Sequence, residues 1–248
     1  MTDCDFHIHT TFGDGCDSAE SIVKEAIKRN LKKIGFSEHS YTFFDKSYCM
    51  SEEGTQMYKA EIEMLKEFYR PDIEILCGIE QDYYSASPAE SYDYIIGSVH
   101  YLRFGNDYVP VDESAEILKN AVQKYFDGDF YAACEKYYQT MSHIVQKTDA
   151  DIIGHFDLIT KFNEKYKFFD EKNERYVRAY KSAVDALIPF DVPFEINTGA
   201  ISRGYKTVPY PSPDIMEYIH QKGGKTILSS DSHTKDTLCF EFGKYENY

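Results

Sequence analysis

The sequence predicts an α/β fold of repeated strand–helix units around a parallel sheet. Three observations predict it. Seven short β-rich runs recur along the 248 residues. Segments of helical periodicity lie between most of them, as in βα units. A histidine or a carboxylate closes nearly every run, and parallel α/β architectures gather their sites at the carboxyl ends of strands.

The first run, Cys4–Ile8, leads into His7-Ile8-His9. Side chains at i and i+2 of a strand share a face, so these two imidazoles aim at one point, which suits a metal ion. Ser18–Arg29 reads as a helix, with Asp17 or Ser18 as N-cap and Ile22, Val23, Ala26 and Ile27 as its apolar stripe. Lys33–Ser37 is the second run and leads to Glu38 and His39. Glu52–Tyr69 repeats Met57, Ala60, Ile62, Met64, Leu65 and Phe68 and reads as a second helix. Ile73–Gly78 precedes Glu80, and Tyr94–Val99 precedes His100. The least regular stretch, Tyr101–Asp129, is expected to be a long βα connection carrying a short helix. Phe130–Lys147 and Lys172–Ile188 read as long amphipathic helices. Between them, Asp151–Gly154 is a strand that ends at His155. Pro193–Ile196 carries Glu195 and leads to Asn197. Ser212 is the expected cap of a helix Pro213–Lys222 that opens on proline and stops at Gly223-Gly224. Lys225–Ser229 is the last run, followed by Asp231 and His233.

Seven strands with intervening helices suggest a (β/α)7 barrel, a near relative of the eight-stranded kind. A doubly wound open sheet is the alternative, and periodicity does not separate the two. A single core at this length buries about three quarters of the chain's surface. No repeat, low-complexity tract or Pro/Ser linker divides the chain, so residues 1–248 are read as one domain. No apolar run approaches the ~20 residues of a membrane span. Met1–Asp5 has neither the basic nor the apolar region of a signal peptide. The six cysteines form no C-x-x-C and point to reduced thiols in a cytoplasmic protein. The net charge of −15 disfavours nucleic acid and anionic membrane as partners. It does not disfavour a small anionic substrate held by metal ions, whose local charge overrides the global field.

Six of the eight histidines fall at strand ends, namely His7, His9, His39, His100, His155 and His233. His143 and His220 fall inside helical patterns and are read as ordinary surface or core residues. So many imidazoles, together with Glu80 and Asp231, cannot be buried without a shared partner. A metal cluster supplies one. Nitrogen and carboxylate donors without thiolate favour zinc, manganese or iron.

The motifs, taken in order, are His7-Ile-His9-Thr, Gly13-Asp14-Gly15, Ser37-Glu38-His39, Gly78-Ile79-Glu80, Gly97-Ser98-Val99-His100, Gly154-His155-Phe156-Asp157, Glu195-Ile-Asn197-Thr198 and Ser230-Asp231-Ser232-His233. As a set they resemble the PHP (polymerase and histidinol phosphatase) family along the whole chain. Pro209-Tyr210-Pro211-Ser212 resembles its histidinol-phosphate phosphatase branch. The resemblance implies a distorted, TIM-barrel-like (β/α)7 barrel with its site at the C-terminal strand ends. It also implies three divalent metal ions (zinc, manganese or iron). By motif, His7, His9, Glu80 and Asp231 hold the first. Glu80 bridges to a second held by His100 and His155. Asp14, His39 and His233 hold the third. Some family members carry histidine where Asp14 stands, and Asp14 also has a turn-residue reading between its two glycines.

The activity this implies is hydrolysis of a small phosphomonoester, L-histidinol phosphate, in histidine biosynthesis. Paired metals ~3.5–4 Å apart share a bridging hydroxide that attacks phosphorus in line. Asp231 and His233 are the candidates for protonating the leaving oxygen, although a metal-bound group is a poor acid. Arg203 is the favoured phosphate clamp, ahead of Lys161 and then Arg103. Glu38 and Glu195 are expected to orient imidazoles from behind, or else to be buried carboxylates satisfied by backbone donors; Glu195 with Asn197 has a further reading as the contact for an amino group on the substrate. The alternatives are another small phosphomonoester, a nucleotide or phosphotyrosine as substrate, and a non-catalytic metal-binding module. Metal-dependent amide or lactone hydrolysis on a related barrel is a further reading, in which a lysine bridges the metals; here Glu80 occupies that place. The sequence leaves the oligomeric state unknown.

Overall fold

The computed structural model describes residues 3–85 and 91–246. Met1 and Thr2, the start of the stretch read for a signal peptide, lie outside them. The strands are β1 (Cys4–Asp5), β2 (Lys33–His39), β3 (Glu74–Asp82), β4 (Tyr94–Ser98), β5 (Tyr101–Phe104), β6 (Asp107–Pro110), β7 (Ile152–Ile153), β8 (Phe194–Asn197) and β9 (Thr226–Ser229). Seven of them form one sheet in the order β1-β2-β3-β4-β7-β8-β9, and every pairing in it is parallel. Its two edges meet. Ile8 and Ser232 form a parallel bridge just past β1 and β9. There His9 N donates to Ser232 O at 2.8 Å and Ser232 N donates to His7 O at 2.9 Å. The sheet is therefore a closed, uneven seven-stranded barrel, and the doubly wound alternative falls.

The barrel is strong on one side and slight on the other. β2 and β3 pair over seven residues, whereas β7 pairs with β8 through one. Alternation along the strands sorts the side chains into layers. On β3, Leu76, Gly78, Glu80 and Asp82 share one face. Leu76 packs with Phe6, Tyr94, Ile96, Ile152 and Ile227 as an apolar floor. The polar members of the same rows stand above it. Tyr94 fills the space over Gly35 and Gly78, where an added Cβ would collide with its hydroxyl and its ring. Its hydroxyl donates to Phe6 O at 2.6 Å and Phe36 O at 3.0 Å. This aromatic plug separates the floor from the mouth.

Helices α1 (Ala19–Lys28) and α2 (Glu52–Tyr69) cover β1–β3 through a core that includes Ile22, Val23, Ile62 and Leu65. Ser18, not Asp17, caps α1, accepting from Ser21 N at 3.3 Å. Tyr101–Asp129 departs from expectation. It forms the β5–β6 hairpin, turning at Gly105 with φ +62, and then a twelve-residue helix α3 (Ala115–Phe126). The Phe130–Lys147 helix is broken into α4 (Phe130–Met141) and α5 (Ile144–Thr148). At the break, Ser142 Oγ donates to Gln139 O at 2.7 Å and His143 Nδ1 lies 2.9 Å from the same carbonyl. These side chains compete with the helical ladder. His143 is thus an exposed cap residue and not a helix-interior one. A short α6 (Asn163–Tyr166) and the long α7 (Glu174–Leu187) follow, then α8 (Gly199–Ser202) and α9 (Pro213–Gln221). Ser212 precedes α9 as expected but makes no capping bond; its N–H donates to Asp157 Oδ2 at 3.1 Å. Gly223, at φ +77, ends that segment. Among the described residues no helix is long and apolar enough to cross a membrane.

The seam is stitched by one side chain. Asp5, fully buried, accepts from Ser230 N at 3.1 Å and Cys239 N at 2.9 Å. Asp5→Ala leaves these two donors inside the protein without partners. Urea unfolding should show a loss of roughly 2–5 kcal/mol, from two unmet buried groups. A midpoint equal to that of the parent would refute the role of Asp5 in closure.

Candidate metal centre

The barrel mouth collects every strand-end residue singled out from sequence. β3 runs on to Asp82, so Glu80 sits inside the strand and points up from the floor. Glu80 is 1% exposed and is the hub. Its Oε1 lies 2.8 Å from His155 Nε2 and 3.3 Å from His100 Nε2. Its Oε2 lies 2.9 Å from His39 Nδ1, 3.3 Å from His7 Nε2 and 3.6 Å from His9 Nε2. Asp231 Oδ1 lies 3.3 Å from His9 Nε2 and 3.8 Å from His7 Nε2. Asp14, more exposed, brings Oδ1 within 3.7 Å of His39 Nε2 and Oδ2 within 3.2 Å of His233 Nε2.

Three groups have ligand atoms within 4.8 Å of one another: His7, His9 and Glu80; His39, Glu80 and His100; His9, Asp14, His39 and His233. His9 and His39 thus each join two groups, where the motif set placed each in one, and His155 and Asp231 fall in none of the three, although His155 lies against Glu80 and Asp231 against His9. The residues fit metal ions on a structural criterion. His7 Nε2, both His9 nitrogens and Glu80 Oε2 are buried without a hydrogen-bond partner. Buried polar atoms are normally satisfied, and divalent ions would take one nitrogen of each ring and the carboxylate oxygen.

The electrostatics agree with that reading. Burial and the neighbouring His233 and His39 rings push His9 down to about 3, so its ring is neutral and offers a lone pair. Burial opposes charge on Glu80, but the surrounding imidazoles outweigh it and hold the carboxyl well below the usual range. Asp231 is likewise held low, against burial, by Arg203 and His7. Asp231 has φ +50, a left-handed conformation that turns its carboxylate inward. Gly199 is what admits the Asp231–Arg203 pair: a Cβ there would lie 2.8 Å from Asp231 Oδ2 and 2.9 Å from Arg203 Nη2.

The supporting carboxylates divide by role. Glu195 Oε1 lies 2.6 Å from His7 Nδ1, and its Oε2 accepts from His155 N at 2.9 Å and Asn197 Nδ2 at 3.2 Å. It orients His7 as expected. Glu38 Oε1 accepts from Thr10 N at 2.5 Å, while its Oε2 is buried without a hydrogen-bond partner, 3.9 Å from His9 Nδ1. Burial pushes its carboxyl up to about 8. Asp82 was missed from sequence. It accepts from His100 N at 3.0 Å and lies 3.3 Å from His100 Nδ1. Its only signal was its place two residues beyond Glu80 on the same strand face.

A cavity of about 310 Å³ opens onto this cluster and is lined by Arg203 and Lys161 among others. Arg203 Nη2 donates to Asp231 Oδ2 at 2.8 Å, and Nη1 lies 2.7 Å from His233 Nδ1. Lys161 Nζ pairs with Asp112 at 3.3 Å. Arg103 faces elsewhere: its Nε donates to Gly105 O at 2.8 Å and its guanidinium lies over Tyr108. It does not line the cavity.

Comparison with known proteins places this geometry. A protein of Schizosaccharomyces pombe named "Probable histidinol-phosphatase" is 29% identical over 97% of this chain and 84% of its own length. The crystal structure of a Listeria monocytogenes protein aligns with a TM-score of 0.85 at 19% identity, covering 98% of this chain and 99% of that one. A second, the histidinol phosphate phosphatase of Lactococcus lactis complexed with zinc, L-histidinol and phosphate, aligns with a TM-score of 0.74 at 21% identity, covering 99% and 92%. The family model described as the PHP domain matches residues 5–199. The chain, with its barrel and its histidine-rich mouth, therefore belongs to the PHP domain family.

Proposed function

We propose that this protein is a metal-dependent phosphatase that hydrolyses L-histidinol phosphate to L-histidinol and phosphate, with residues 1–248 acting as one phosphoesterase domain. The observation that carries the reading is the convergence of six histidines, Asp14, Glu80 and Asp231 on one mouth, with buried donor atoms left unpartnered. Relatives named for histidinol phosphatase activity, one of them complexed with zinc, L-histidinol and phosphate, support the substrate. The cavity volume falls at the small end of the range for small-molecule sites. A non-catalytic module would have lost ligands, and here every motif position is filled.

Three divalent ions, zinc, manganese or iron, fit the donor set. In the proposal His7, His9, Glu80 and Asp231 hold one, Glu80 with His100 and His155 a second, and Asp14, His39 and His233 a third. When bound, such ions make water nucleophilic near neutral pH and offset phosphoryl charge. The chain's residues do the positioning. Glu195 and Asp82 fix the rings of His7 and His100. Arg203 reaches the rim of the cluster and supplies a planar cation for phosphate oxygens. Lys161, tied to Asp112, is the lesser candidate. Asp231 is held ionised and has no proton to give, and His233 turns its Nε2 toward Asp14 Oδ2 at 3.2 Å, a ligand position. We therefore place both among the ligands, with the leaving oxygen taking its proton from solvent in the open cleft. A cytoplasmic location is in keeping with the free cysteines.

L-Histidinol phosphate should be turned over far faster than a nucleotide or a phosphotyrosine peptide; the reverse order would overturn the substrate. His9→Ala and Glu80→Ala should lose bound metal, measured by elemental analysis, and at least about a hundredfold in kcat. Full metal content with near-normal turnover would sink the ligand assignment. Arg203→Ala should keep its metal yet lose roughly a hundred- to a thousandfold in kcat/KM, the usual effect of removing one charge-stabilising donor. Chelation should lower the thermal midpoint and re-added zinc should restore it, because ligand binding to the folded state alone stabilises it.

A further inference from the structure

A buried cation stands behind the site and takes no part in the chemistry assigned above. The side chain of Lys206 is 2% exposed. A lysine so enclosed is costly unless it is paired, so its partners point to what it does. Its Nζ donates to Thr160 Oγ1 at 2.7 Å, lies 3.8 Å from Asp157 Oδ2 and stands 4.6 Å over the ring of Tyr210. Thr160 Oγ1 in turn donates to Asp157 O at 2.8 Å. Asp157 is itself fully buried, and its Oδ1 has no hydrogen-bond partner. Among the described residues Lys206 is the one cation within ion-pair distance of it.

These contacts join two segments of the mouth. One follows β7 and carries His155 and Lys161; the other follows β8 and runs from Arg203 to Ser212. Pairing in the sheet is shortest between these same strands, through Ile153 and Phe194 alone. The second segment lies across the first. Ser212 N donates to Asp157 Oδ2 at 3.1 Å, Thr207 N donates to Glu164 Oε2 at 2.9 Å, and Tyr205 packs edge-on against Phe162. Lys206 is the buried centre of that contact. The turn that ends on it starts at Arg203, with Gly204 at φ +73 and the N–H groups of Tyr205 and Lys206 both donating to Ala200 O. Tyr210, under the ammonium, has its ring centroid 6.3 Å from that of His155. The ion pair thus sits three residues from the phosphate clamp on one side and two from a proposed ligand on the other.

We propose that Lys206 is a positioning residue: through Thr160 and Asp157 it holds the Arg203 turn against the His155 segment, and so sets where the guanidinium meets phosphate at the cluster. It touches no reacting atom. Elsewhere in the barrel ladder bonds fix such spacings; between β7 and β8 a buried ion pair does so. This rests on the phosphatase reading above. A misplacement of about 1 Å can cost on the order of a hundredfold in rate, so spacing alone is enough to matter.

The test is a double-mutant cycle on the metal-loaded full chain, with L-histidinol phosphate as substrate and inorganic phosphate as competitive inhibitor. Lys206→Met keeps the aliphatic stem and removes the charge. It should leave metal content unchanged, lower kcat/KM by about ten- to a hundredfold and weaken inhibition by phosphate about tenfold. In an Arg203→Ala background the same change should cost less than about threefold, because the group it positions is gone. A merely structural residue would lower the active fraction equally in both backgrounds and leave phosphate inhibition alone. Equal losses in the two backgrounds, or parental phosphate inhibition in Lys206→Met, would overturn the proposal. Lys206→Met leaves Asp157 buried without its cation, so Lys206→Met with Asp157→Asn, which removes both charges, runs through the same cycle. If neither form folds, the pair serves the fold and not the site, and the proposal falls. If the parent enzyme hydrolyses neither L-histidinol phosphate nor p-nitrophenyl phosphate, the phosphatase reading falls and this proposal with it. If it hydrolyses them and the cycle is additive, this proposal falls alone.

Discussion

Five imidazoles, those of His7, His9, His39, His100 and His155, surround the carboxylate of Glu80, and the site depends on that one arrangement. A buried carboxylate ringed by neutral nitrogens is costly unless charge is shared. Glu80 is kept ionised because the rings around it can carry positive charge or metal. It stands on β3, which has the longest pairing in the barrel. The rings come from β2 and from the segments following β1, β4 and β7, so no local stretch of chain could build this cluster. Closure of the sheet is the structural condition for the chemistry. The Tyr94 plug beneath, seated against Gly35 and Gly78, sets the height at which the ring of donors forms.

Much of this was legible because side-chain alternation in strands has a period of two. His7 and His9, or Leu76 through Glu80, declare a shared face from spacing alone. The barrel was legible as a strand count but not as a closure. The bridge between Ile8 and Ser232 is a backbone contact between residues over two hundred positions apart, and no periodicity encodes it. The hairpin at Tyr101–Pro110 escaped for a related reason. Its strands are four residues each, and it packs against the β2 loop through Phe44 on Tyr108, a stack at 3.7 Å that is invisible in one dimension. The break after Met141 was missed because Ser142 and His143 are tolerable in a helix until their side chains take the carbonyl of Gln139.

The site residues divide the same way. Motif order pointed to all nine proposed ligands, and the structure brings them to one mouth. The groups that hold them were less visible. Both readings of Glu195 and Glu38 stood open in the sequence; Glu195 lies against the His7 ring, while Glu38 holds the N–H of Thr10 with one oxygen and turns the other toward His9 at 3.9 Å. Asp82 and the cleft carboxylates had no motif to mark them. An aspartate in an acidic chain carries little information until its neighbours are known.

The net charge of −15 is therefore not spread without pattern. Part of it stands at the mouth, where exposed Asp14 and buried Glu80 and Asp231 lie among imidazoles and Arg203. Part of it lines the cleft at Asp45, Asp112 and Glu113, with Lys161 as a partner for one of them. The two groups are not set apart along the cavity. Tyr48 packs on His39 with ring centroids 4.8 Å apart, and against the cost of burial Lys161, His100 and His155 hold the Asp112 carboxyl low. The wall carboxylate at Asp112 therefore acts on the same imidazoles that stand around Glu80, and divalent ions held there would draw on both sets of negative charge.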